Sequence, residues 1–238
     1  MPVRSLIALL QFATILPLGK VQDLSHFARR LYLYPVAGYV VGGIAALAVW
    51  RLGHSALAAA IALALVLVLS GFHHFDGLLD LGDALMTQGD RERRIRALTD
   101  RQTGAGGIGL ALVTSLLAFG ALIMVPSAAV AILAAEVSAK VAMATLTVFG
   151  SPFKEGMQSY LHRYSKRWFF WPALLFFLPL FLFIRIGRLF VLVAVTLIIA
   201  ALMLASSKRL FGGVNGDVVG ATNEITRALT LVTLALIL

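Results

Sequence analysis

The chain has 238 residues, 60% of them hydrophobic and 13% charged, with a net charge of +9. Its mean hydropathy of +0.93 excludes an ordinary soluble domain, which is about half apolar, and makes a polytopic membrane protein the reading. Cysteine is absent, which excludes disulfides and thiolate metal sites.

Residues 1–19 carry one arginine, an apolar stretch and Pro17, with no small-x-small cleavage pattern, so they do not read as a signal peptide. The apolar part, residues 6–16, is too short at about 1.5 Å per residue to cross about 30 Å of hydrocarbon, and reads as an interfacial or re-entrant helix. Lys20, Arg29 and Arg30 mark a surface segment with a short helix capped by Ser25. Residues 33–50 form the first expected span, with Gly38, Gly42 and Gly43 as a small-residue packing face. Residues 55–72 form the second.

The longest polar stretch, residues 73–107, follows. Six of the 11 acidic residues lie between Asp76 and Asp100. Asp76, Asp80 and Asp83 are spaced four and three apart, which places their carboxylates on one helical face where they repel. A divalent cation such as Mg²⁺ would offset that repulsion and bridge to phosphates. Asp90 is placed to cap a second short helix through Leu98.

The third and fourth spans are expected at 108–125 and 127–149, the latter with Glu136 and Lys140 at pairing distance in sequence. A polar loop, 150–167, leads to a fifth at 168–184, where Pro172 and Pro179 introduce kinks. The sixth is 189–205. After polar residues 206–220, the seventh, 221–238, holds Glu224 and Arg227 as a structural pair. The expected fold is thus all-α. It is a single membrane domain over residues 1–238, with about seven transmembrane helices, the N-terminal interfacial or re-entrant helix and short cytoplasmic helices.

With the N-terminus inside, fifteen basic residues fall in the inside segments and three in the outside turns. That bias orients the long polar segments to the cytoplasm. Nine of the 11 acids fall on the same side and none outside. Glycine clusters at 104–107 and 212–216 precede helix starts, where free N–H groups and small residues let a phosphate approach. Together with the aspartates, they point to metal-assisted phosphoryl transfer.

The segment His74-Phe75-Asp76-Gly77-Leu78-Leu79-Asp80-Leu81-Gly82-Asp83 resembles the signature of the cobalamin 5′-phosphate synthase family. Three other pieces resemble that family in the same order: Phe12 to Pro17, Asp90-Arg91 through Asp100 to Gly107, and Gly216-Asp217-Val218-Val219-Gly220-Ala221 with Asn223 and Glu224. His73 stands where the family pattern has phenylalanine, and Lys140 where arginine is common.

The resemblance implies transfer from adenosylcobinamide-GDP to α-ribazole or its 5′-phosphate, with release of GMP and a need for Mg²⁺. It implies Asp76, Asp80 and Asp83 as metal ligands and His74 as general base, with His73 its competitor. Arg101, Gly104, Gly106, Gly107, Asn215, Gly216 and Asp217 would bind the phosphates. The expected partners are these substrates and the lipid bilayer, without nucleic acid; a homo-oligomer is left open. The expected location is the cytoplasmic membrane, with the site facing the cytoplasm. Two other readings are a CDP-alcohol phosphotransferase, whose Asp-Gly-x-x-Ala-Arg pattern fits poorly here, and an ion-coupled transporter using Glu136, Lys140 and Glu224.

Overall fold

The computed structural model describes residues 2–237 and is all-helical. Met1 and Leu238, the ends of the expected domain, lie outside the described residues. The helices are α1 (Pro2–Ala13), α2 (Ser25–Ala28), α3 (Tyr34–Val49), α4 (Ala56–Leu69), α5 (His73–Met86) and α6 (Arg91–Leu98). They continue with α7 (Ala105–Met124), α8 (Ala128–Phe149), α9 (Met157–Tyr164), α10 (Phe170–Leu175), α11 (Ile186–Phe211) and α12 (Gly216–Ile237).

Helix α8 is the axis of the bundle. Of its most apolar stretch 83% is buried, against 28% in α7 and in α11. Its alanine-rich surface lets α3, α11 and α12 close around it. The approach of α3 is set by glycine: a Cβ at Gly38 would stand 2.6 Å from the Glu136 carbonyl oxygen, and one at Gly42 2.9 Å from Glu136 Cβ. Helix α12 then carries α5 and α7 on its other side.

Among the described residues, four helical segments are long and apolar enough to cross a membrane: Leu31–Val49, Ala105–Met124, Ala128–Phe149 and Ile186–Phe211. A fifth is obtained if α4 and α5, bent by 93°, count as one. The expected seven are not reached, for three reasons. Helix α4 has 14 residues, about 21 Å of rise. Residues 168–184 are not one helix: 3₁₀ turns at Arg167–Phe169 and Leu178–Leu182 flank the six residues of α10, in keeping with two prolines that donate no backbone hydrogen bond. Helix α12 is too polar and is instead sheathed by its neighbours.

Of the two caps expected from sequence, Asp90 forms and Ser25 does not; Ser55 adds a third that was not expected. Ser55 accepts from Ala58 N–H at 3.1 Å and Asp90 from Arg93 N–H at 2.9 Å, starting α4 and α6. Ser25 is an exception: Asp23 accepts its N–H at 2.7 Å, so the aspartate begins that turn.

The polar segments gather at one end of the bundle. Val214 N–H donates to the Ser151 carbonyl at 2.9 Å, tying the α8–α9 loop to the α11–α12 loop. The Arg29 guanidinium lies 5.0 Å from the Tyr164 ring centre, and Arg91 donates to the Arg209 carbonyl at 3.4 Å. At the other end His54 bonds the Ile123 carbonyl.

Candidate functional site

Helix α5 carries the aspartates, and a tight turn sets its direction. Gly71 and Phe72 are both left-handed, with φ of 62° and 59°. Glycine adopts that conformation freely, whereas for phenylalanine it costs about 1–2 kcal/mol. Phe72 is held by donating its N–H to the Leu67 carbonyl at 3.0 Å and by an edge contact with the Phe75 ring. The chain thereby turns from α4 into α5 within three residues.

Two glycines then bring α5 into backbone contact on both sides. A Cβ at Gly77 would stand 2.6 Å from the Asp217 carbonyl oxygen on α12, and one at Gly82 2.6 Å from the Gly106 carbonyl oxygen on α7. Gly220 completes the α12 side, where a Cβ would meet His74 Cα at 3.2 Å. Asp217 is therefore a neighbour of Asp76 and Asp80.

The three aspartates of α5 divide into two kinds. Asp83 accepts the Gly104 N–H at 2.7 Å and the Gly107 N–H at 2.8 Å. Gly104 has no side chain with which to cap α7, and Asp83 does so from the neighbouring helix. The Gly104 and Gly107 N–H groups, expected to face a phosphate, donate to Asp83, and the Gly82 and Leu79 carbonyls pack against Gly106 and Gly107.

Asp76 is exposed and Asp80 half-buried. Burial first, then the charges of Asp217, Asp76 and Asp83, push the Asp80 carboxyl up to about 7, with Lys154 acting in the opposite sense. Burial likewise raises Asp217, against Lys154 and a hydrogen bond from Asn215. Asn215 is itself buried. Its Oδ1 accepts the Val218 N–H at 3.0 Å, and its amide nitrogen donates to Asp217 at 2.5 Å. It caps α12 and steers Asp217. Gly216 is exposed, and a Cβ there would meet nothing within 4 Å. Arg101 is exposed on the loop before α7, with no side-chain bond to another described residue.

Beside Asp217 opens a cavity of about 400 Å³. His73, His74, Gly216 and Asp217 line its polar side; Phe12, Tyr34, Met143, Leu161 and Val219 supply apolar wall; Gln11 and Gln158 add amides. His74 is only 7% exposed. Burial, with Lys140 and Arg227 beyond it, holds its imidazole well below the usual histidine range, and its Nδ1 has no hydrogen-bond partner. It is therefore neutral at pH 7, free to accept a hydrogen bond but a weak base. His73 is exposed at the same cavity. Lys154 lies in the loop before α9 and Gln158 on α9 itself; neither belongs to a motif, and only the fold brings them to the site.

Behind the cavity lies a buried polar cluster. Arg227 bridges Glu136 on α8 and Glu224 on its own helix. Lys140 donates to Asn223 at 2.6 Å and stands 3.8 Å from Glu136. Two acids and two bases balance, which is how a bundle keeps charges inside at tolerable cost. The residues an ion-coupled transporter would need are thus engaged with one another.

Donor chemistry at α5 and α12 suits a hard cation: crowded carboxylate oxygens with Lys154 as their nearby cation. No three His, Asp or Glu side chains among the described residues converge as a ready metal cage. Mg²⁺ commonly takes one or two carboxylates and completes its shell with water and substrate phosphate. The carboxylates placed to share that task are Asp76, Asp80 and Asp217, whereas Asp83 is engaged by the α7 backbone.

The family model for cobalamin-5-phosphate synthase matches residues 5–235. Similar proteins include the adenosylcobinamide-GDP ribazoletransferase of Halorubrum lacusprofundi, 38% identical over 93% of this chain and 93% of that one. Those of Pyrobaculum islandicum (38% identical, 98% and 96% covered) and Methanocella arvoryzae (34%, 94% and 92%) carry the same name. No solved structure matches the chain. A family model and relatives that run through α5, the glycine-rich start of α7 and the start of α12 alike place this chain in the cobalamin-5-phosphate synthase family.

Proposed function

We propose that this chain joins adenosylcobinamide-GDP to α-ribazole or its 5′-phosphate and releases GMP. The observation that carries the geometry is the nearness of Asp76 and Asp80 on α5 to Asp217 on α12, which lines a cavity together with His74. An acceptor hydroxyl attacks the cobinamide-side phosphorus. The new P–O bond forms as the bond to GMP breaks, GMP leaves with the electron pair, and the hydroxyl proton is lost.

Asp76, Asp80 and Asp217 would hold Mg²⁺ on the diphosphate. When bound, the cation neutralises charge on the diphosphate and on the departing GMP. The chain's own part is positioning. Gly77 sets the distance between the two carboxylate-bearing helices, Asn215 orients Asp217, and Lys154 tempers the negative field. His74, neutral and unpartnered at Nδ1, accepts a hydrogen bond from the acceptor hydroxyl. The exposed His73 or solvent carries the proton away.

The gathering of the polar segments at one end supports a one-sided site. With fifteen basic residues there against three at the other end, that end faces the cytoplasm across the cytoplasmic membrane. Residues 168–184 would complete the crossings as a broken segment, and α12 as a sheathed one, giving seven passes. Incubating the purified protein with Mg²⁺, adenosylcobinamide-GDP and α-ribazole tests the reading. One GMP per joined product is expected; a protein that releases none, or releases it without consuming the acceptor, contradicts it.

A further inference from the structure

The cavity beside Asp217 holds two unpartnered polar groups. Gln158 on α9 is 4% exposed and His74 on α5 is 7% exposed. The Gln158 amide nitrogen and His74 Nδ1 have no hydrogen-bond partner among the described residues, and both side chains line the cavity. The other end of the Gln158 amide meets the Thr147 hydroxyl at 3.2 Å. That hydroxyl has one proton and also lies 2.9 Å from the Met143 carbonyl. Whichever way the amide is turned, one end engages Thr147 and the other is free. Buried polar groups left without partners cost about 1–3 kcal/mol each. Two in one cavity point to a ligand that bonds them.

The rest of the wall describes that ligand. Phe12, Tyr34, Met143 and Leu161 offer flat, apolar and polarisable surface, which suits an aromatic heterocycle. Charge at the cavity is confined to the Asp217 side. A volume of about 400 Å³ matches one bicyclic base with its ribose, whereas a corrinoid is several times larger and must stay outside. A base seated inward would direct its ribose to His74 and the carboxylates.

We propose that this cavity is the acceptor pocket, taking the aromatic base of the incoming nucleoside, with the free end of the Gln158 amide as its polar anchor. The inference rests on the transferase reading above and names where one of the two substrates sits. Gln158 acts on the acceptor and not on the donor diphosphate.

The test uses the full-length protein in detergent or nanodiscs, with two variants. Gln158→Leu keeps the bulk and removes the anchor. Met157→Trp, at a side chain 50% exposed on the cavity rim, narrows the entrance with little demand on the core. Binding of α-ribazole is measured by calorimetry, and KM is measured for each substrate. Both variants should weaken α-ribazole binding and raise its KM on the order of tenfold, the loss of about one hydrogen bond or fit. The KM for adenosylcobinamide-GDP should stay within about twofold. Unchanged α-ribazole binding in both variants, or an equal rise in the donor's KM, overturns the assignment. A wild-type protein that binds α-ribazole but releases no GMP counts against the transferase reading and leaves the pocket standing, because binding is read separately.

Discussion

Gly77 on α5 stands so close to Asp217 on α12 that a Cβ on the glycine would come within 2.6 Å of the aspartate's carbonyl oxygen and 3.0 Å of its Cα. Both are backbone atoms, which cannot swing aside as a side chain would. The spacing of the carboxylates on the two helices is thus set by the absence of one methyl group.

Gly77→Ala should therefore act through distance. Alanine is the better helix former by about 1 kcal/mol, yet overpacking at a backbone contact costs about 1–3 kcal/mol. A folded protein with a modestly lowered Tm and at least tenfold slower GMP release is expected. A variant with wild-type rate would show that the α5–α12 spacing does not govern the site.

The aspartates of α5 should separate in their responses. Asp76→Asn and Asp80→Asn remove like charge, so metal-free stability should hold level or rise, while the rate falls on the order of a hundredfold or more. Raised Mg²⁺ or Mn²⁺ should restore part of it. Asp83→Asn should do the reverse. Its carboxylate accepts two backbone N–H groups, and an amide can accept only one of them while turning an NH₂ toward the other. A stability loss of about 1–3 kcal/mol with no metal rescue is expected. Three variants with a single shared pattern in Tm and rate would remove the distinction.

Asp80 gives the metal-free protein a pH signature. Its folded pKa, about 7, exceeds the unfolded value of about 4. Between those values the folded chain keeps a proton that the unfolded chain has released, so stability falls as pH rises through the window. Melting in EDTA from pH 5 to 7.5 should show a downward slope that Asp80→Asn flattens and saturating Mg²⁺ reduces. Parallel slopes for wild type and variant would contradict the crowding of the carboxylates.

The buried cluster should behave as a structural unit. Glu136 is fully buried and Arg227 is 2% exposed. Arg227→Met strands Glu136 and Glu224 and should cost about 3–5 kcal/mol. Adding Glu136→Gln should recover part of that loss, a coupling of at least about 0.5 kcal/mol. Strictly additive melting shifts would mean that the pair is not coupled.

Much of this fold can be read from local pattern, because local pattern is what built it. Asp90 starts α6, Gly38 and Gly42 let α3 onto α8, and Glu136 meets Lys140 one turn on. What pattern alone misses is tertiary. Residues 168–184 are apolar enough for a span, yet their two prolines break the ladder into 3₁₀ turns. The glycines at 104–107 have the composition of a phosphate loop, but helix α5 lies against them and Asp83 takes the N–H groups of Gly104 and Gly107. Asp217 is far from Asp76 in sequence, and the close α5–α12 contacts at Gly77 and Gly220 make them one site. Gln158 carries no motif at all; its unpartnered amide becomes visible only with the cavity around it.

In the proposed reaction, carboxylates from α5 and α12 together hold the metal on the diphosphate. The most direct measurement is the initial rate of GMP release against Mg²⁺ concentration for wild type, Asp80→Asn and Asp217→Asn. Both variants should need on the order of tenfold more Mg²⁺ or more for half-maximal rate, as expected when one carboxylate ligand is weakened. Asp217→Asn with an unchanged Mg²⁺ dependence and rate would show that α12 holds no metal ligand.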